Sequence, residues 1–275
     1  MTADNAIPLA AYGILLHNLT ETVIDECAEQ IKNLGYAIID SGYTSTQIEH
    51  ISEKFNEARE NYVQKYGVAK LKSINEFHTI RAPLTQGGDE FLQLALNKNV
   101  LDLLKKLIQG KFILNQQNGV INPPQTTYNQ GAWHRDLPYQ HFVSTTPLAI
   151  NALYCVDDFT CENGATFVLP ASHKSEAFPS QHYIKKNALQ VEAKAGTFIV
   201  LDCMVYHSGG YNKTDQERRA VNHLYNIPYF KQQINLPTNM TNPQISTEAK
   251  EILGFNTQEP HSILDYLSQR TSTKS

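Results

Sequence analysis

Residues 133–139 read Trp133-His134-Arg135-Asp136-Leu137-Pro138-Tyr139, and the pair that organises the rest is His134-x-Asp136. On an extended strand, residues two apart project from the same face. An imidazole and a carboxylate would therefore point together from a strand that runs from Trp133 to Phe142. Those are two members of the 2-His-1-carboxylate triad that holds non-haem Fe(II). The third ligand must come from elsewhere in the chain. His207 is the best candidate, at the end of a Gly-bounded strand in Leu201-Asp202-Cys203-Met204-Val205-Tyr206-His207-Ser208-Gly209-Gly210.

A lone HxD is weak, because ten histidines and 27 acids produce such pairs by chance. The ordered set carries more weight: HxD, a hairpin with its loop, a strand ending in His207, then Arg218. An arginine suits the far carboxylate of an anionic chelating ligand, since its planar fork bonds a carboxylate bidentately. Arg219 is the competing choice, and the spacing favours Arg218.

Composition excludes several classes. The 275 residues suffice for a substantial core in one domain, 1–275. A net charge of −4 gives no basic excess for nucleic acid or an anionic membrane surface. Cys27, Cys155, Cys161 and Cys203 lack CxxC spacing and read as free thiols in a reducing compartment. The N-terminus has no Lys or Arg before Lys32, so it lacks the charged region of a signal peptide, and no apolar run is long enough to span a bilayer. A cytoplasmic protein that acts on a small molecule is the expectation. The sequence leaves oligomeric state open.

Three regions follow from the pattern. Residues 1–110 read as largely helical. A helix over 20–33 is N-capped by Thr20, a strand follows at Tyr36–Asp40, and a second helix starts at Ser45 or Thr46 and reaches Val63. This unit is expected as a lid over a barrel end. Residues 68–88 are polar and read as a loop that could close over substrate, carrying His78 and Arg81. Asp89 then caps helices over 90–97 and 99–109. From 111 to 230 the chain reads as short strands, at 112–122, 133–142, 148–156, 165–169, 188–193, 197–201, 205–208 and 218–227. Asn163-Gly164 gives a hairpin signal among them. Such spacing predicts an antiparallel sandwich or jelly roll. The extension 231–275 carries short helices at 247–253 and 261–269.

Several motifs together resemble the phytanoyl-CoA dioxygenase family. They are His134-x-Asp136, Asp157-Asp158…Glu162-Asn163-Gly164-Ala165, Pro170-Ala171-Ser172-His173-Lys174, Gly196-Thr197, Asp202…His207 and Asn212…Asp215…Arg218-Arg219-Ala220, in that order. The resemblance covers roughly 111–230. It implies a mainly β chain with helical additions: a double-stranded β-helix, cupin-like, flanked by N-terminal helices. It implies His134, Asp136 and His207 as Fe(II) ligands, 2-oxoglutarate and O₂ as cosubstrates, and Arg218 on the C5 carboxylate of 2-oxoglutarate. Asn122 and Tyr154 would stand near the cosubstrate. The implied activity is C–H hydroxylation, with release of succinate and CO₂. Desaturation or epimerisation is the variant outcome, and a non-catalytic cupin-like sensor the alternative. Asp136 argues against a halogenase, because its carboxylate fills the position a halide needs.

Other residues have plainer readings. His173 is expected to hold a turn, His223 to be structural or exposed, Cys155 and Cys203 to be core, and Arg135 to point outward into a salt bridge. If the strand phases hold, Gln116, Asn118, Asn222, Tyr139 and Gln140 give an amide-rich wall. Asn118, Gln140 and Asn222, with His78 and Arg81 from the loop, are then the expected substrate residues. A small polar metabolite (an amino-acid derivative, a sugar or a biosynthetic intermediate) fits such a wall better than a long acyl chain.

Overall fold

A computed structural model describes residues 7, 10–86, 88–240 and 245–272. Among the described residues, nine strands form two antiparallel sheets: β1 (Tyr36–Asp40), β2 (Thr79–Arg81), β3 (Ile113–Asn122), β4 (Ala149–Cys155), β5 (Thr166–Val168), β6 (Leu189–Val191), β7 (Thr197–Asp202), β8 (His207–Ser208) and β9 (Arg218–Asn226). The large sheet runs β1-β7-β4-β9-β3-β2 and the small one β6-β5-β8. An isolated bridge between His134 and His207 adds an edge to the small sheet. Two sheets of this kind make the expected jelly roll.

The N-terminal region is not a lid over one end. It supplies both edge strands of the large sheet, β1 on β7 and β2 on β3. Its helices cover that sheet's outer face. The helix Val23–Leu34 starts two residues later than expected: Thr22, not Thr20, is the N-cap, in a capping box with Asp25. Thr44 caps Ser45–Tyr66 in the same way. Asn97 caps Lys98–Leu107 through Val100 N, while Gly88, not Asp89, stands at the cap of Asp89–Ala95.

Strand parity separates two apolar layers. Phe198, Val200, Val221, Tyr225, Ala152 and Tyr154 face the helices and pack with Phe55, Ile80 and Phe91. Ile199, Leu201, Ala220 and Cys155 face the small sheet and pack with Phe159, Val168 and Val205. Since both faces are covered, β4 and β7 are apolar on both faces, apart from Asn151 and the terminal Thr197 and Asp202.

Three expectations about this region are corrected. Residues 133–142 are not a strand beyond the bridge at His134, because Pro138 offers no N–H to a ladder. Residues 68–86 are not an open flap. They form the helix Val68–Ser73, β2 and a 3₁₀ turn Pro83–Thr85, anchored by buried Leu71, Ile80 and Leu84; Gly87 lies outside the described residues. Between the strands expected at 165–169 and 188–193, where no further element was expected, lies the helix Gln181–Asn187 capped by Ser180.

His223 belongs to the outer layer and is structural. Its Nδ1 meets Ala152 O at 3.0 Å and its Nε2 meets Gln117 Nε2 at 2.8 Å. The amide donates, so the ring nitrogen facing it must lack a proton. Burial pushes the imidazole down to about 4. The folded value lies below the unfolded one, so this stability is complete above about pH 6.5 and falls as pH drops toward 4. The full loss is roughly 3 kcal/mol at about 1.4 kcal/mol per unit. Urea melts at pH 7.5 and pH 5 should show the wild type losing about 2 kcal/mol more over that interval than His223→Gln. Equal losses in the two proteins would overturn this account.

Candidate active site

The chain turns at Ala132–Leu137 so that His134 and His207 exchange backbone bonds, His134 N to His207 O at 3.0 Å and the reverse at 3.1 Å. Asp136 N then donates to Cys203 O at 3.0 Å. Held at both ends, the tripeptide is extended enough to send His134 and Asp136 to one side. Asp136 Oδ1 lies 3.7 Å from His134 Nε2 and 3.5 Å from His207 Nε2. All three ligand atoms fall within 4.8 Å of one another, a spacing suited to one ion.

Two backbone carbonyls and one amide fix how they point. His134 Nδ1 donates to Ala132 O at 2.8 Å and His207 Nδ1 to Val205 O at 3.1 Å. Both Nε2 lone pairs are thereby turned into the site, as metal-bound histidines require. Asn151 Nδ2 donates to Asp136 Oδ2 at 2.8 Å and leaves Oδ1 toward the imidazoles. Burial alone would raise the Asp136 carboxyl, but His207, His134 and Asn151 outweigh it and hold the group at about 2. Burial and the neighbouring His207 keep His134 below its ordinary value. Burial also opposes the charge on His207, yet Asp136 raises it. The donor set is thus one ionised carboxylate and two imidazoles with inward-facing nitrogens.

A small cavity of about 50 Å³ joins this cluster to Arg218, lined also by Tyr128, Asn151, Leu153, Thr166 and Asn222. Arg218 is 3 % exposed. Its guanidinium stacks 3.9 Å from the Phe159 ring centroid, and its sole hydrogen bond among the described residues is a long one of 3.4 Å to Tyr128 Oη. Its Nε has no partner. Among the described residues no carboxylate pairs with it, because Asp157 is taken by Arg219, which also holds Ser52 and Asn56. A buried charge without a partner is expensive. Here it faces the position an anionic ligand would take from the His/Asp/His cluster. Tyr128 gets there through Gly209, where a Cβ would lie 2.0 Å from its hydroxyl.

The cluster also opens into a cavity of about 600 Å³, whose lining includes Thr79, Arg81, Gln116, Asn118, Leu137, Asn222, Asn226 and Phe230. Asn118, Asn222 and Arg81 are therefore beside the cluster as expected. Gln140 and His78 are not. Gln140 turns back to Arg135 O and lines a separate cavity with Trp133 and Phe178. His78, just before β2, meets the Phe77 ring edge-on and does not line this cavity. Tyr139 is exposed and stacks on Phe142.

Two expected cosubstrate neighbours also move. Tyr154 is on the helix side of β4 with Tyr43 and Phe198, so Asn151 and Leu153 form the wall instead. Asn122 has the right face, but its Nδ2 is spent on Gly164 O and Gly210 O at 3.3 and 2.9 Å. It staples two loops. Gly164 must be glycine there, at φ +77° with Gly210 O only 2.4 Å from where a Cβ would lie.

Arg135 is not in a surface salt bridge. It is 2 % exposed and donates to the carbonyls of Gln140, Ser172, Ser175 and Glu176 while stacking 4.1 Å from the Tyr206 ring centroid. It fixes the turn beside the HxD. His173, buried and 3.2 Å from Lys32 O, holds its turn as expected.

A jelly roll with a His/Asp/His cluster facing a buried arginine that has no acid marks the Fe(II)/2-oxoglutarate oxygenases as a class. Residues 31–220 match the model of one family in it, phytanoyl-CoA dioxygenase (PhyH), and the chain belongs to that family. It is a dioxygenase whose cofactors are Fe(II), 2-oxoglutarate and O₂. An uncharacterized protein of Mycobacterium tuberculosis is 27% identical over 219 residues, 78% of this chain and 79% of its own. Dioxygenase FUM3 of Gibberella moniliformis is 28% identical over 265 residues, 88% of this chain and 85% of its own. EctD from S. alaskensis, solved with bound Fe, is similar in fold at a TM-score of 0.64 and 18% identity, over 77% of this chain and 80% of that one. Another structure of EctD holds 2-oxoglutarate and 5-hydroxyectoine. No helix among the described residues is long and apolar enough to cross a membrane.

Proposed function

We propose that His134, Asp136 and His207 hold the Fe(II), that Arg218 and Tyr128 bind the C5 carboxylate of 2-oxoglutarate, and that the chain hydroxylates a small polar metabolite in the 600 Å³ cavity. One observation carries this reading: Arg218, buried and without an acid, faces the cluster across a cavity too small for more than a short ligand.

Bound iron would supply O₂ activation at the expense of 2-oxoglutarate decarboxylation. The protein's own groups do the rest. Arg218, Tyr128 and the Thr166 hydroxyl offer donors where the distal carboxylate must end. Asn151 keeps Asp136 from rotating out of its ligand position. Leu153 and Leu201 exclude water from the passage between the two ends. Asn118, Asn222 and Arg81 border the larger cavity on the substrate side, and EctD, which carries 5-hydroxyectoine, is a precedent of like fold for a small polar product.

The test couples succinate formation to product mass across a panel of small polar compounds. One oxygen gained per succinate is the expected result, with no halide incorporated in chloride buffer. A loss of two hydrogens would assign desaturation, an unchanged mass with an inverted centre would assign epimerisation, and a chlorinated product would refute the role given to Asp136. Iron-loaded protein that never forms succinate would sink the enzymatic reading altogether.

A further inference from the structure

The chemistry of the large cavity narrows the substrate class, on the basis of the reading just given. Its floor is the inward face of β3 and β9. Registered pairs run Arg81–Asn118–Asn222–Leu153 across β2, β3, β9 and β4. Asn226 is one pleat repeat beyond Leu224 on β9 and also lines the cavity.

Every charge in the lining is already engaged. Arg81 is bidentate on Glu76 and touches Gln233. Arg135 is spent on backbone carbonyls. Lys231 is at the rim, 83% exposed and 3.3 Å from Glu259. Asp136 belongs to the metal cluster. Among the described residues of the lining, no buried cation is left uncommitted for a substrate carboxylate or phosphate, and no acid for an ammonium.

Two amides of the lining bury an oxygen that has no partner among the described residues. Asn226 is 1 % exposed, and its Oδ1 has no partner. The Oδ1 of Asn222 is likewise buried without a partner. Asn118, by contrast, is held at both ends, its amide donating to Gln117 O at 2.9 Å and accepting from Arg81 Nη1 at 3.3 Å. As placed, the two bare amide oxygens cost about 1–3 kcal/mol each, and since both side chains line the cavity, rotating either amide about its last torsion turns the oxygen toward a ligand donor. An amide that accepts from one hydroxyl and donates to the next is suited to a polyhydroxylated molecule. Leu224, between the two asparagines on β9, clusters with Leu137 and Phe230 into the apolar surface that the C–H faces of such a molecule require.

We propose that the cavity selects an uncharged, polyhydroxylated substrate of sugar or cyclitol type, and that Asn222 and Asn226 are its specificity-determining residues. Substrates whose recognition depends on a carboxylate, a phosphate or an ammonium are disfavoured.

The experiment measures succinate release by the iron-loaded full chain, with and without three probe sets: methyl glycosides and cyclitols, free amino acids, and acyl-CoA thioesters. Stimulation of at least tenfold over the substrate-free rate is expected from the first set alone. Asn226→Leu should raise KM for the best probe about tenfold, with kcat changed less, and its melting temperature shows whether it is folded. Asn226→Asp keeps the shape and adds an acid. It should shift preference about tenfold toward the amino-sugar analogue of that probe, which a merely structural residue would not do. Stimulation by amino acids or acyl-CoA alone overturns the class, as does no stimulation by any hydroxylated probe while substrate-free turnover persists. An unmoved preference in Asn226→Asp overturns the residue assignment. Loss of substrate-free succinate formation in the wild type points to the iron and 2-oxoglutarate reading instead.

Discussion

Asp136→Ala is expected to retain less than a tenth of the wild-type iron and to form succinate at least a hundredfold more slowly. The carboxylate is the one anionic ligand of the cluster, 3.7 and 3.5 Å from the two imidazole nitrogens. Structural metal sites with four ligands contribute roughly 10–16 kcal/mol, so one ligand accounts for about 3–4 kcal/mol. That is two to three powers of ten in affinity, at about 1.4 kcal/mol each. Two imidazoles without the anion also leave a bound divalent ion with no charge compensation. His207→Ala should give the same loss of iron. Asn151→Leu is milder, about 10–100-fold in affinity, since Asp136 stays in place but loses the donor that orients it. Metal analysis after reconstitution with Fe(II) reads all three. Full iron occupancy in either ligand variant would remove that residue from the proposed site.

The pieces of the site that could be read from the chain are the ones whose geometry is local. His134 and Asp136 share a face because any extended tripeptide puts them there, and the bridge to His207 keeps the tripeptide extended. Arg218 begins β9, and the pairing β3–β9–β4 carries its side of the strand past Asn222 to Asn226. What escaped the sequence was non-local. β4 is apolar on both faces because helices bury one and the small sheet the other, so its alternation gave no phase. A slip of one residue put Tyr154 where Asn151 and Leu153 are. Asn151, an amide alone in an apolar strand, was the available signal. Tyr128 had none: it reaches Arg218 only because Gly209, 81 positions later, lacks a Cβ. Arg135 was misread for a related reason. Its partners are backbone carbonyls of residues 172, 175 and 176, and carbonyls leave no trace in composition.

Arg218→Met and Arg219→Ala should move two observables in opposite directions. Arg218 is a buried cation whose field is not met by an acid, so the folded ligand-free protein bears its desolvation cost. Methionine fills much of the same volume against Phe159 without the charge. The ligand-free melting temperature of Arg218→Met should therefore equal or exceed the wild type. Its affinity for 2-oxoglutarate should fall at least tenfold, because a buried charge pair that loses one partner costs about 2–5 kcal/mol. Arg219 is the reverse case. It is bidentate on Asp157 and holds Ser52 and Asn56 of the helix Ser45–Tyr66, so Arg219→Ala should lower the melting temperature and leave 2-oxoglutarate affinity near wild type. Both readouts come from melting curves on protein loaded with a redox-inert divalent metal, with 2-oxoglutarate titrated in. A ligand at a hundred times its Kd adds about 2.7 kcal/mol to the folded state. The wild type and Arg219→Ala should show that shift, and Arg218→Met should lose half of it or more at the same concentration. If Arg219→Ala loses the shift and Arg218→Met keeps it, the cosubstrate carboxylate binds the other arginine. If Arg218→Met is destabilised before any ligand is added, the guanidinium has a partner in the fold and was not held in reserve for an anion.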